Sequence, residues 1–357
     1  MGEDGPMDAT TRPRARRMCA AVTMFHGGLD AIEVHDDWPM PALGSGDVLV
    51  RISAAALNNT DIWAREGRYG TAEDPDAIAG WKGVPLDFPR IQGIDVAGVV
   101  VDSGEDVDRS VIGRRVMVDP TVHYNGDFPV DLIGSEVDGG FAEFLACSVD
   151  RVNDVSASPL SDVQLACLPT AYGTALEMIN RAGCASGERV LVTGASGGVG
   201  SAAVQLLVNR GCHVIARTSS SNADAVLANG AHEVSVRGHD AIEDLDEVDV
   251  AVDVVAGDEF GAVLDRLRDG GRMATAGAIA GPLVQLDVRR LYLRQRRLIG
   301  STMHSPADFA ELAEVASTGG LDPIVAEVFP LEGIRAAQER FVRKDFVGKL
   351  VVRPHGA

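Results

Sequence analysis

Val190-Leu191-Val192-Thr193-Gly194-Ala195-Ser196-Gly197-Gly198-Val199-Gly200-Ser201 reads as a buried strand, a glycine turn and a helix start. Val190 to Val192 supply the short apolar run of a parallel strand. Gly194, Gly197 and Gly200 permit a tight turn, close backbone approach to a ligand, and close packing of helix on strand. The helix continues through Ala202-Ala203-Val204-Gln205-Leu206-Leu207. Its free N–H groups and positive dipole end form a site for a pyrophosphate. Ser196, Gly198 and Val199 complete the turn and are assigned with it to a dinucleotide. No Gly-Lys-Ser/Thr closes the loop, which argues against a nucleotide-hydrolysing P-loop.

Strand and helix alternate on both sides of this turn. Leu160 to Asn180 reads as helix broken near Pro169, and strands are expected at Arg189–Thr193, His213–Arg217, Glu233–Val236, Val250–Val255 and Arg272–Ala276. Helices fall between them at Ser201–Asn209, Ala223–Ala228 and Glu259–Arg268, and Leu298–Thr302 reads as a last strand. This pattern implies a Rossmann-type, doubly wound parallel sheet in an α/β protein. Val255-Ala256 and Ala276-Gly277 end successive strands, where ligands bind in such sheets. They join the cofactor-binding set.

The N-terminal part is β-rich, with short runs at Met18–Met24, Asp47–Ala55, Ile91–Val101, Arg114–Asp119 and Phe141–Ala146 between Gly, Pro and Asp punctuation. Trp63 to Tyr69 reads as a polar connection, and Asp74 to Phe88 as a loop insertion. Residues 308–357 hold two more helices and a final strand, Lys349–Val352. The expected division is a disordered tail at 1–17, a catalytic part at 18–156 and 308–357, and a dinucleotide-binding part at 157–307.

Composition narrows the function classes. The net charge of −20 argues against nucleic acid and anionic membranes as partners. No apolar run approaches the ~20 residues of a membrane helix. Five scattered cysteines without a C-x-x-C fit free thiols in a reducing cytoplasm. The 29 arginines against three lysines fit either a salt-rich cytoplasm or a GC-rich genome. The salt reading predicts a melting temperature that rises in molar salt.

The order of motifs resembles the medium-chain dehydrogenase/reductase superfamily over about residues 18–353, and within it the zinc-free quinone oxidoreductase-like branch. The matching segments are Ala56-Leu57-Asn58-Asn59-Thr60-Asp61, Gln92-Gly93-Ile94-Asp95-Val96-Ala97-Gly98, Asp138-Gly139-Gly140-Phe141-Ala142-Glu143, Pro169-Thr170-Ala171-Tyr172, the glycine turn, and Phe346-Val347-Gly348-Lys349. The resemblance implies a chaperonin-10-like, partly open β-barrel as catalytic domain, with the Rossmann domain inserted before its last elements. It also implies a homodimer or homotetramer, with a strand near Leu298–Thr302 pairing across the interface.

Zinc members of the superfamily hold their catalytic metal with Cys, His and Cys on an open site. The three matching positions here are Asn58, Ile94 and Ala166, and Cys167 stands one position late. The four-cysteine structural lobe is absent, since Asn125–Glu136 contains no cysteine. The expectation is no zinc.

The resemblance places Asn58 at the substrate, where its amide can hydrogen-bond a carbonyl; a structural amide is the alternative. Trp63 and Tyr69 fall where the family often has tyrosines lining the pocket. Asp61 joins this catalytic set, more as an acceptor of backbone N–H groups than as a proton donor. Thr170 and Tyr172 match the segment at the nicotinamide end. Lys349 matches a terminal Gly-Lys, which either reaches the cofactor domain or lies on the surface.

No carboxylate ends the strand His213–Arg217, where an NAD site places one for the ribose 2′-OH. Arg217, Ser219, Ser220 and Arg237 could instead hold a 2′-phosphate, so NADPH is expected, with NADH as the alternative. The expected function is hydride transfer from NADPH to a small electrophilic substrate, a quinone or an activated C=C bond, without a metal. The alternatives are a zinc-type alcohol dehydrogenase and a non-catalytic NADPH-binding protein.

Overall fold

The computed structural model describes residues 16–71 and 73–354. Most of the expected tail at 1–17 lies outside them. Arg17 lies within them and already belongs to the first strand.

The N-terminal part contains β1 (Arg17–Thr23), β2 (Ile32–Pro39), β3 (Asp47–Ala56), α1 (Asn59–Glu66), β4 (Arg90–Ile91), β5 (Asp95–Ser103), β6 (Arg115–Val118), β7 (Thr121–Asn125), β8 (Phe128–Leu132), β9 (Phe144–Ser148) and β10 (Val152–Asp154). β3 is its seam. One edge pairs with β5, and the start of the other edge pairs with β9. Register breaks at Leu49/Val50 and Ile52/Ala54 mark bulges. Bulges bend a strand and increase its twist, so the sheet curls into the partly open barrel. Val50 and Ile52 face the core at 0% exposure while Arg51 between them is exposed, as the two-residue period of a strand requires.

The segment Trp63–Tyr69, expected as a polar connection, begins instead in α1. Asp61 accepts a hydrogen bond from the backbone N of Asn58 at 2.7 Å, and Gly67 ends the helix at φ +68°. Both are ordinary helix boundary signals. The region compared with a zinc lobe is the hairpin β7–β8, turned at Gly126-Asp127.

The second part begins with α2 (Asp162–Ala166) and α3 (Pro169–Ala182). It continues through β11 (Arg189–Val192), α4 (Gly198–Asn209), β12 (His213–Thr218), α5 (Ala223–Ala228), β13 (Glu233–Val236), β14 (Val248–Asp253), α6 (Phe260–Asp265), β15 (Leu267–Thr275), α7 (Val288–Tyr292) and β16 (Arg297–Gly300). Its six strands are parallel, in the order β13-β12-β11-β14-β15-β16. This is the doubly wound order, and it reverses between β11 and β14. Val190, Leu191, Val192, Val250, Ala251 and Val252 are all 0% exposed, because helices cover both faces. The crevice at the carboxyl ends of β11 and β14 is where such a sheet binds ligands.

The chain closes with α8 (Pro306–Thr318), β17 (Val325–Pro330), α9 (Ile334–Arg343) and β18 (Lys349–Arg353). α8, expected in the catalytic part, packs against α3 instead. Its Phe309, Leu312 and Ala316 share a core with Ala175 and Ile179 of α3, so the return comes at β17. β18 pairs antiparallel with the end of β3, Val351 opposite Ala56. No helix of the described residues is long and apolar enough to cross a membrane.

Candidate functional site

A cleft of about 800 Å³ runs between the two parts, from the glycine turn to a group of aromatic side chains. Gly194, Ser196, Gly197, Gly198, Val199 and Gly200 all line it. Gly194 has φ +59°, a left-handed conformation. A Cβ at Gly200 would overlap the carbonyl oxygen of Gly194, so glycine alone lets α4 pack this closely on β11. Asp253 fixes the neighbouring strand ends. It accepts from Thr193 Oγ1 at 2.6 Å and from the backbone N of Val255 (3.3 Å) and Ala256 (3.1 Å). Burial raises its carboxyl pKa against those donors. Val255, Ala276 and Gly277 line the cleft. Ala256, expected beside them, does not; its backbone is held on Asp253.

The side chains at the end of β12 differ from the expectation. Arg217 is 4% exposed, and its guanidinium is bound on several sides. It donates to Glu259 at 2.9 and 2.5 Å, to Ser235 Oγ at 2.7 Å and to the carbonyl of Asp240 at 3.2 Å. Arg217 and Glu259 both line the cleft with the guanidinium already paired to the carboxylate, and the pair holds the Glu259 carboxyl below its usual range. Arg237 lines the cleft, is exposed, and makes no side-chain hydrogen bond among the described residues. Thr218 Oγ1 is buried without a partner, and Ser219 and Asn222 complete this wall. Ser220 is exposed and outside it.

At the opposite end the structure joins residues far apart in sequence. Asp95, 0% exposed, accepts from Asn58 Nδ2 (2.9 Å), Lys349 Nζ (3.0 Å) and the backbone N of Thr170 (2.8 Å). Lys349 Nζ also donates to Asn58 Oδ1 at 2.5 Å. Both ends of the Asn58 amide are thus taken within the protein, against the expectation that it serves a substrate carbonyl. Lys349 is no surface lysine: it is 4% exposed and lines the cleft. Thr170 also lines the cleft, with a buried hydroxyl that has no partner. Tyr172 points away and donates to Gln205 at 2.9 Å, a packing role between α3 and α4.

Trp63 and Tyr69 line the cleft with their rings edge to face, centroids 5.6 Å apart. Tyr69 donates to Thr60 Oγ1 at 3.1 Å, and burial pushes its phenol up to about 12, so it remains a donor at neutral pH. Trp81 adds a third ring from the 74–88 insertion, held by Glu136 at 3.0 Å. Asp61 is 1% exposed and outside the lining. Burial pushes its carboxyl up to about 7 against hydrogen bonds from Asn58 N and Gly93 N. It ties α1 to the Gly93 turn.

Sequence reading missed Asp95 as a site residue, although it lies in a quoted motif. It also missed Trp81, Glu259 and the burial of Lys349. Their partners lie up to 291 positions away, so no local pattern reports them.

A catalytic zinc does not fit these residues. Ile94 is 1% exposed in an apolar cluster with Leu132 and Met303, and Ala166 carries no donor. Asn58 is already bound to an ammonium group. The buried Cys167 thiol donates to the carbonyl of Val163, and burial pushes its pKa up to about 12. Among the described residues no group of three or more His, Cys, Asp or Glu side chains is placed to hold a metal ion.

Residues 44–157 match the family described as alcohol dehydrogenase GroES-like domain, and residues 198–318 the family described as zinc-binding dehydrogenase. The chain is similar to the quinone oxidoreductase of Sus scrofa, 28% identical over 94% of this chain and 98% of that protein. It is similar to the acryloyl-coenzyme A reductase of Metallosphaera sedula, 29% identical over 94% of this chain and 99% of that protein. A solved structure from Sinorhizobium meliloti 1021, provisionally described as an alcohol dehydrogenase, is 44% identical with a TM-score of 0.91. That match covers 95% of this chain and 97% of the other.

Proposed function

The chain belongs to the medium-chain dehydrogenase/reductase superfamily, and from that premise we propose that it transfers hydride from NADPH to a quinone or an activated C=C bond without a metal. The observation that carries this reading is the donor set beneath the aromatic pocket. Asn58, Ile94 and Ala166 stand where zinc ligands would be needed, and a lysine ammonium is bound there. The resemblance to a quinone oxidoreductase and an acryloyl-coenzyme A reductase supports the same chemistry.

The residues fit a nicotinamide dinucleotide. The glycine turn and the N-terminus of α4 would hold its pyrophosphate. The unpartnered hydroxyl of Thr170 would meet the nicotinamide end, and Thr218, Ser219 and Arg237 the 2′-phosphate. The reduced nicotinamide supplies the hydride; the protein supplies orientation and water exclusion. Trp63, Tyr69 and Trp81 suit a flat, conjugated acceptor.

NADPH oxidation with chelator present, comparing an ortho-quinone with an enal, tests the reading. Turnover with either supports it; a requirement for added zinc, or reaction with simple alcohols alone, would contradict it. With Arg217 engaged, NADPH preference falls to Arg237. Arg237→Ala is expected to weaken NADPH binding roughly tenfold and leave NADH binding unchanged, as expected for one charge-assisted hydrogen bond. Fluorescence titration of both cofactors checks this.

We also propose a homodimer through β16. It ends the parallel sheet, pairing with β15 on one edge. Leu283 (90% exposed), Leu293 (69%) and Leu298 (37%) lie in the same stretch of chain. An open strand edge with exposed apolar side chains favours self-association. Light scattering should give twice the chain mass, falling to one chain mass in Leu293→Glu/Leu298→Glu. A monomeric wild type at micromolar concentration would refute the dimer.

A further inference from the structure

We propose that the Lys349 ammonium stands in the place of the metal ion and receives the oxygen of the acceptor, holding it as negative charge develops there. This rests on the reductase reading above.

Three backbone hydrogen bonds fix where Lys349 begins. Its own N donates to the carbonyl of Ile324 at 2.9 Å, and Gly348 N donates to the carbonyl of Ser196 at 3.2 Å. Leu57 N, next to Asn58, donates to the carbonyl of Leu350 at 2.9 Å. The start of β18 is thereby tied to both the glycine turn and the start of α1. The side chain then crosses the turn: a Cβ at Gly198 would stand 3.1 Å from Lys349 Cδ. Its Nζ ends between Asn58 Oδ1 and Asp95 Oδ2.

An ammonium carries three donors and no acceptor. Two of the three are used by Asn58 and Asp95. The third has no partner among the described residues, and Lys349 lines the cleft. Asn58 and Asp95 therefore act as positioning residues for a fixed positive charge. A preorganised donor of this kind is most effective in a site closed to water.

For an α,β-unsaturated carbonyl the step balances as follows. Hydride forms a new C–H bond at the β-carbon, and the C=C electron pair moves to give an enolate. The enolate oxygen accepts a hydrogen bond from Lys349 Nζ. A proton from water completes the α-carbon. The alkene is reduced, the dihydronicotinamide is oxidised, and Lys349 ends unchanged.

The test uses the full chain, its Lys349→Met and Lys349→Arg variants, and two probes. The first probe is para-nitrophenolate, a flat oxyanion, titrated without cofactor and followed by tryptophan fluorescence, with para-nitroanisole as neutral control. Trp63 and Trp81 report from the cleft itself. Lys349→Met is expected to weaken phenolate binding roughly tenfold, with anisole unaffected. The second probe is crotonaldehyde with NADPH. Its reduction by Lys349→Met is expected to fall ~10²–10³-fold, with NADPH affinity within a factor of about three. Lys349→Arg keeps a cation opposite Asp95 and guards against a folding failure. It is expected to retain phenolate binding and to lose roughly tenfold in turnover, because the oxygen is misplaced.

Equal phenolate affinity in wild type and Lys349→Met would overturn the proposal. So would NADPH binding weakened well beyond about threefold in Lys349→Met with turnover kept at saturating cofactor, which would make Lys349 a pyrophosphate ligand. Phenolate binding that depends on Lys349, in a wild type that reduces no conjugated acceptor, would overturn the reductase reading and leave Lys349 as the oxyanion group.

Discussion

Asp95→Ala is expected to lower the unfolding free energy by about 3–5 kcal/mol, the usual consequence of leaving one member of a buried ion pair without its partner. Asp95 is fully buried and accepts three hydrogen bonds, from Asn58, Lys349 and the backbone of Thr170. Alanine strands the ammonium, the Asn58 amide and the Thr170 N–H together. Asp95→Asn keeps the shape but replaces one acceptor with a donor, which must then face the Thr170 N–H or the Asn58 and Lys349 donors. It should fall between alanine and wild type. Lys349→Met in the Asp95→Ala background should recover part of the loss, since the stranded charge is gone. A coupling of about 0.5–3 kcal/mol is the range for residues in direct contact. Denaturant unfolding of the four proteins measures it. An Asp95→Ala protein within about 0.5 kcal/mol of wild type, the usual range for unremarkable surface changes, would mean the pair is not formed.

Gly200→Val is expected to abolish cofactor binding. The added atoms meet the carbonyl of Gly194 and the Cα of Ala195, all backbone, so no side chain can rotate away. Either α4 moves off β11 or the turn opens. Overpacking of this kind costs about 1–3 kcal/mol in stability. The displaced N–H groups also lose their aim at the pyrophosphate, and NADPH affinity should fall by at least ~100-fold, or about 2.7 kcal/mol. Gly261→Ala is the control. It lies in α6 with no atom within 4 Å of the new Cβ. It should stabilise by about 0.5–1 kcal/mol, because alanine is the better helix former. A Gly200→Val protein that binds NADPH as wild type does would contradict the packing described.

The parallel sheet was legible because its signals are local. Apolar runs, glycine turns and helix starts recur in one stretch, and β11 with α4 follows them directly. α1 was not legible although its boundary signals, Asn58 with Asp61 and then Gly67, are equally local, because eight residues give few turns over which a helical period can show. Other residues were legible in type but not in role. Arg217 is a cation at the right strand end, yet Glu259 on a different loop takes its guanidinium. Lys349 and Asn58 were both singled out, but their contact spans 291 positions and forms only when β18 closes against β3. Burial of that kind is decided by the topology, which places the last strand beside an early one.

The most direct measurement is the fate of the hydride. Protein treated with chelator would be given NADPH deuterated at the transferred position, together with crotonaldehyde or an ortho-quinone, and the products examined by mass spectrometry. The account predicts one deuterium at the β-carbon of the saturated aldehyde, or matching cofactor oxidation with quinone, at a rate the chelator does not change. No reduction of either acceptor, with alcohol oxidation appearing only when zinc is supplied, would contradict it.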